Sequence, residues 1–255
     1  SDYGKIDILW LDGGWVAKMT PDEVKSYYAN NTGNFVHVQN QDIRMDELAA
    51  EARKKQPGLI VVDRAVEGPN QNYLTPENLV PQEMLSYPWE SCIIMGGGWS
   101  YAFNATYKSS RELVQLLIDI VAKGGNLLLN IAPSPLGTWD EAAYNRLSDM
   151  GKWIKINGDA IYGTRKIAPY HDGPIYYTRK KDGNTRYAIY CLKEGEKLPN
   201  EFLMSSLDLT KKPIIDVLGY KGKIDCRKTD KGILIKVPAA LQQKAQSYAV
   251  TFRAR

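Results

Sequence analysis

Three strand-like runs end in side chains able to do chemistry. "DILWLDGGW" (7–15) carries an apolar run into Asp12, set among Trp10, Trp15 and two glycines. "GLIVVDR" (58–64) ends in Asp63-Arg64, and "ESCIIMGGG" (90–98) leads into Trp99. A carboxylate at the carboxyl end of a parallel strand stands where α/β barrels place their reacting groups. There it suits nucleophilic attack, an arginine beside it orients a carboxylate or donates to a hydroxyl, and flat tryptophan faces stack on the C–H face of a sugar ring. Plainer readings compete. Asp12 would equally well cap the turn that follows it, and Asp63-Arg64 would form an internal ion pair. Glu90 precedes its apolar run, which puts it at the amino end of its strand, on the face that serves stability.

Other chemistries have little footing. Cys92, Cys191 and Cys226 are far apart and form no C-x-x-C pair, so neither a disulfide framework nor a zinc knuckle is expected. The two histidines, His37 and His171, are too distant in sequence to suggest a metal cluster. Gly96-Gly97-Gly98 is followed by Trp99 and a loop rather than a helix, which argues against a phosphate cradle. A net charge of +4 is spread over 255 residues without a basic run, so a nucleic-acid groove is not expected. No stretch approaches the roughly 20 apolar residues that cross a bilayer, and the opening "SDYGKIDILW" does not read as a signal peptide. Asn30-Asn31-Thr32 and Asn104-Ala105-Thr106 match the short glycosylation sequon.

The elements that must position these groups alternate up to about residue 165. "IDILWLD" (6–12) reads as a strand, and "TPDEVKSYYAN" as a helix with Thr20 at the N-cap, Pro21 at its first position and Glu23 closing a capping box. "DIRMDELAAEARKKQ" (42–56) is helical, "GLIVVDR" a strand, and a long polar loop separates it from the strand of "ESCIIMGGG". Capping boxes at Ser109–Glu112 and at Thr138–Glu141 open two further helices. Between them "NLLLNIAP" (126–133) reads as a strand buried on both faces. Four strands of this kind predict half of a (β/α)8 barrel or an open wound sheet. From about residue 170 hairpin patterns take over, around Lys181–Asn184 and Asp230–Gly232, and predict a small antiparallel β-sandwich. The boundary falls near residues 164–172, giving a barrel part over 1–167 and a sandwich over 168–255.

"DILWLDGGW", "GLIVVDR", "YLTPENLVP", "PWESC", "GGGWSY" and "IVAKGGNLLLNIAPSPLG" occur in series, and in that order resemble the family 29 glycoside hydrolases, the retaining α-L-fucosidases. The resemblance runs from residue 6 to about 165. It implies the second half of a (β/α)8-like catalytic barrel followed by a β-sandwich, with the barrel's first half and its sugar-binding histidines absent from these residues. It maps the nucleophile onto Asp12, and sugar contacts onto Trp10, Arg64 and Trp99. It implies no metal and no cofactor.

A retaining glycosidase pairs its nucleophile with an acid/base carboxyl about 5–5.5 Å away. The resemblance places that acid in the loop "AVEGPNQNYLTPENLVP", which offers Glu67, Gln71 and Glu77. Glu67 is close behind Arg64, and Glu77 follows Pro76 as a turn or helix-start residue. Gln71 lies mid-loop, has the shape of glutamate without its proton, and reads as a replaced acid/base, with Glu67 next. The expected partner is a fucosylated oligosaccharide or glycoconjugate. The expected place is the periplasm or outside the cell, or a lysosome in a eukaryote. A carbohydrate-binding protein without activity, or a retaining glycosidase for another galacto-configured sugar, are the alternatives.

Overall fold

The computed structural model describes residues 4–12, 19–30, 43–62, 64, 69–205, 214–244 and 248–255. Trp15, His37, Asp63 and Glu67 lie outside them. The chain divides into two compact units, one of Ser1–Thr75 with Tyr87–Glu90, the other of Pro76–Ser86 with Ser91–Arg255.

In the first unit β1 (Ile8–Leu9) pairs in parallel with β2 (Ile60–Val61), Ile8 opposite Ile60 and Leu9 opposite Val61. Helix α1 (Pro21–Asn30) starts at its expected box: Thr20 Oγ1 accepts from the Glu23 amide at 3.3 Å, and Glu23 Oε2 accepts from the Thr20 amide at 2.7 Å. Helix α2 (Met45–Lys55) lays Met45 and Ala49 on Val61, with Leu9, Leu11 and Ile43 around them. Its Arg53 donates to the Asn70 carbonyl at 2.9 Å and to Asn72 Oδ1 at 2.7 Å. That clamp holds the chain beyond β2 beside the strand it has just left.

The polar loop expected there is partly strand-like. Val62 bridges Tyr73, and Leu74 bridges Trp89, both in parallel. Asn72 joins the ladder, its amide donating to the Val61 carbonyl at 2.7 Å. The segment gives little alternation to read, and its pairing is made by backbone.

In the second unit β3, which spans Glu90–Ile94 and enters this unit at Ser91, pairs with β4 (Asn126–Asn130). Within this unit Glu77 bridges Cys92, so Glu77 sits in an extended segment and not at a helix start. Helix α3 (Ser110–Ala122) carries the expected capping box at Ser109 and Glu112. The Ser109 hydroxyl and amide hold the Glu112 carboxyl below the usual range. Ser109→Ala is expected to destabilise this unit by about 1 kcal/mol, read from the urea midpoint. Past its end, Gly124 adopts φ +88, which a side chain would oppose.

Helix α4 (Glu141–Asn157) begins differently from the sequence expectation. Asp140, not Thr138, is its N-cap, and makes no side-chain capping bond. The Asp140 carboxylate is occupied by the Tyr101 and Tyr107 hydroxyls at 3.1 and 2.9 Å. Thr138 instead closes a small turn with Ser134, their hydroxyls 3.0 Å apart. β4 also departs from expectation. Leu127 and Leu129 pack on the helical core, but Leu128, on the other face, is 41% exposed. Among the described residues only one face of β4 is covered by helices.

The rest of this unit is antiparallel. β5 (Thr164–Asp172), β6 (Ile175–Lys180), β7 (Arg186–Cys191), β9 (Ile215–Val217) and β12 (Ala249–Ala254) form one sheet in the order β5-β6-β7-β12-β9. β8 (Glu201–Met204), β10 (Asp225–Thr229) and β11 (Gly232–Lys236) form another, ordered β10-β11-β8, and α5 spans Ala239–Lys244. Period-two alternation splits the larger sheet's side chains. Tyr177, Ala188, Tyr190 and Phe252 meet Phe202, Met204, Ile233 and Ile235 of the smaller sheet. Tyr187, Ile189, Cys191 and Ala249 meet Leu113, Val114, Ile118 and Trp153 of the helices. Burial pushes the Tyr176 phenol and the Cys191 thiol up to about 12, so Cys191 is an inert core thiol.

Candidate active site

Parallel pairing fixes which residues share a level in the first unit. Ile8 faces Ile60, Val62 faces Tyr73 and Leu74 faces Trp89. Continuing each register by the same offset sets Asp12, Arg64, Thr75 and Glu90 in one cross-strand row. The row below it holds Trp10, Val62, Tyr73 and Pro88.

Side-chain contacts agree with this alignment. Arg64 Nη2 donates to Asp12 Oδ1 at 3.0 Å, and Arg64 Nη1 reaches the Thr75 carbonyl at 3.4 Å. The guanidinium carbon stands 5.1 Å from the centre of the Trp10 ring. Arg64 is thus tied to three groups at once, and its side chain is only 16% exposed, while that of Asp12 is 53% exposed. The result is a carboxylate open to an incoming molecule, oriented through one oxygen by a buried cation. Its ion pair crosses between strands. The competing reading, a cap on its own turn, falls on residues 13–18, outside those described.

Glu90 opens its own strand, at the amino end where the sequence sets it, and the register continued above carries it level with Asp12, three residues past β1. The Glu90 carboxyl is half-buried and pushed upward by desolvation, an effect opposed by the Trp10 indole N–H that faces it. Trp10 Nε1 is itself buried and makes no hydrogen bond among the described residues.

Gln71 is not brought to this row. Two residues before Tyr73, it falls level with Ile60, four residues short of Arg64 and so about 13 Å back along the strand direction. Its carbonyl accepts from the Tyr87 hydroxyl at 2.7 Å, and its Oε1 is buried without a hydrogen bond. A retaining pair is about 5–5.5 Å apart, so Gln71 does not stand where the partner of Asp12 belongs. The sequence read it as a free loop tip because the backbone ladder at Tyr73 and Leu74 leaves no side-chain pattern. Trp99 lies in the second unit, 42% exposed, its carbonyl accepting from Asn130 Nδ2 at 3.4 Å.

Residues 1–159 match the sequence profile of the family described as Alpha-L-fucosidase. The chain belongs to this family. Human plasma alpha-L-fucosidase is 30% identical over 197 residues, covering 72% of this chain and 38% of that protein. The Dictyostelium discoideum alpha-L-fucosidase is 25% identical over 263 residues, covering 97% and 52%. Among solved structures, Thermotoga maritima alpha-fucosidase in complex with fucose superposes with a TM-score of 0.67 at 26% identity, over 83% of this chain and 49% of that one. Alpha-L-fucosidase isoenzyme 1 from Paenibacillus thiaminolyticus shares the fold over the full chain, with a TM-score of 0.76 at 22% identity and 58% of its own length covered. This fucosidase-family chain thus spans about half the length, or less, of the relatives it matches. Among the described residues no helix is long and apolar enough to cross a membrane, and no cluster of metal-ligating side chains occurs.

Proposed function

We propose that this chain carries the nucleophile of a retaining exo-α-L-fucosidase that hydrolyses terminal α-L-fucosides. The observation that supports this most is the Asp12 carboxylate, exposed three residues past β1 and held through Oδ1 by an Arg64 that rests over Trp10. In this reading the second oxygen of Asp12 attacks the anomeric carbon. The glycosidic bond breaks, the leaving oxygen takes a proton from the acid/base carboxyl, and a covalent fucosyl-enzyme forms. Water, deprotonated by the same carboxyl, then releases fucose with its configuration retained. Trp10 supplies an apolar face for the C5 methyl of L-fucose. Trp99 is proposed as a further aromatic wall on the resemblance alone.

The level of Gln71 beside Ile60 speaks against it as the acid/base, and Glu67 is the next candidate. In architecture, residues 1–167 are proposed as the second half of a (β/α)8-like barrel and residues 168–255 as a β-sandwich. The relatives named plasma and tissue alpha-L-fucosidase support an extracellular or lysosomal location.

The test is hydrolysis of aryl α-L-fucoside against aryl α-D-galactoside by the intact protein, with the first-formed anomer followed by NMR. Turnover of the fucoside with retention is expected. Preference for the galactoside, or inversion, would contradict the reading. In the same assay Gln71→Glu is expected to give no gain in rate with a poor leaving group. A gain of tenfold or more would restore Gln71 to the acid/base position.

A further inference from the structure

The loop that leaves β3 and the start of α4 gather exposed aromatic side chains around one carboxylate. The Tyr101 and Tyr107 hydroxyls donate to Asp140 at 3.1 and 2.9 Å. Tyr101 meets Phe103 edge to face, their ring centres 5.3 Å apart. Trp139, next to Asp140 in the chain, leans on Tyr144 at 5.5 Å. Phe103 is 81% exposed, Tyr144 51% and Trp139 36%. We propose that this cluster is a carbohydrate-binding surface, which takes pyranose rings of a glycan other than the fucose cleaved at Asp12. The inference rests on the fucosidase reading for the source of the glycan, and on the cluster itself for the chemistry.

Single exposed apolar side chains are ordinary on a protein surface, but these are grouped and held. The Tyr101 hydroxyl is tied to Asp140 and its ring to Phe103, so little side-chain freedom remains to be lost on binding. Polar groups with unused capacity lie beside the rings. A carboxylate offers about four acceptor sites, and the two tyrosines occupy two of them at Asp140. Asp140 makes no side-chain capping bond to α4 and has no cation partner among the described residues. The Trp139 indole N–H and the Tyr144 hydroxyl make no hydrogen bond among the described residues. A protein partner would press apolar surface onto the rings and strip water from that carboxylate with no cation to replace it, which is costly. A pyranose matches both halves of the surface. Its C–H face lies on an aromatic ring, while its hydroxyls donate to Asp140 and accept from the Trp139 N–H. Apolar faces with a few fixed polar groups are the lining of a small-molecule site.

The experiment titrates N-acetyllactosamine, a galactose–N-acetylglucosamine disaccharide without fucose, into the intact protein. Binding is followed by NMR at the Trp139 indole N–H, whose resonance is identified by its loss in Trp139→Phe. That resonance is expected to shift saturably in the wild type. Phe103→Ala is expected to raise the dissociation constant by about 3- to 10-fold, the worth of one aromatic contact. Asp140→Asn, which exchanges one acceptor oxygen for a donor, is expected to raise it at least as much. Melting temperatures check folding, and Phe103→Ala, a change made largely in solvent, decides alone should Asp140→Asn fail to fold. No saturable shift in the wild type, or an unchanged dissociation constant in Phe103→Ala, would overturn the proposal. So would self-association of the wild type that Phe103→Ala abolishes and the disaccharide leaves untouched, which would make the cluster an interface between copies. The probe carries no fucose and needs no turnover. A wild type without fucosidase activity would therefore remove the reading of Asp12 and leave the binding result standing. An active wild type that does not bind the disaccharide would remove this surface alone.

Discussion

Replacing Asp12 by alanine is expected to abolish turnover of aryl α-L-fucosides, with kcat falling on the order of 10⁴-fold or more, as when other covalent nucleophiles are removed. At about 1.4 kcal/mol per tenfold, that loss exceeds 5 kcal/mol of transition-state stabilisation. Folding should scarcely respond. The Asp12 side chain is 53% exposed and its ion pair is half in solvent, a setting in which such pairs contribute about 0–1 kcal/mol. A large fall in kcat with a melting temperature close to that of wild type is thus the signature of a group that reacts rather than supports. Added azide should restore part of the rate, since the shortened side chain leaves room beside C1 for a small anion. The product would be a fucosyl azide of inverted configuration. A Asp12→Ala enzyme retaining a tenth of the wild-type rate would mean that another group attacks.

The largest effect on stability is expected at Trp153. It lies on α4, is 3% exposed, and packs with Leu113, Ile118 and Ile189 in the core between the helices and the larger sheet. Its Nε1 donates to the Ala249 carbonyl of β12 at 3.0 Å. One side chain thus fills the layer and ties helix to strand. Trp153→Ala should cost about 3–5 kcal/mol, the usual range for deleting a buried tryptophan, with the Ala249 carbonyl left wanting a donor. Trp153→Phe keeps most of the apolar volume and should cost markedly less. Equilibrium urea unfolding measures both. Similar midpoints for the two variants would show that the hydrogen bond, and not the packing, holds α4 in place.

Legibility varied with the range of the physics involved. The starts of α1 and α3 were readable because a capping box is closed within four residues, Thr20 with Glu23 and Ser109 with Glu112. At α4 the same local pattern misled, since the Asp140 carboxylate is taken by Tyr101 and Tyr107 from more than 30 residues away. Asp12 and Arg64 stood out because each ends an apolar run, and a strand end is visible in one dimension. Their pairing with each other required the register of β1 against β2. Glu90 opens its own strand, as its text shows, but which residues of the neighbouring strands lie level with it is written only in their register. Gln71 shows the same limit. Its loop-like text concealed a backbone ladder at Tyr73 and Leu74, and no side chain there marks the level at which Gln71 comes to rest.

The central claim is that Asp12 bonds to the sugar. The intact protein should be incubated with 2-deoxy-2-fluoro-fucosyl fluoride, whose fluorine slows breakdown of the ester, and then digested for tandem mass spectrometry. A mass increase of one fluorofucosyl group on the peptide containing Asp12, localised to that residue and absent from Asp12→Ala, is the predicted result. A label on a different carboxylate, or fucoside turnover with no covalent adduct at all, would contradict it.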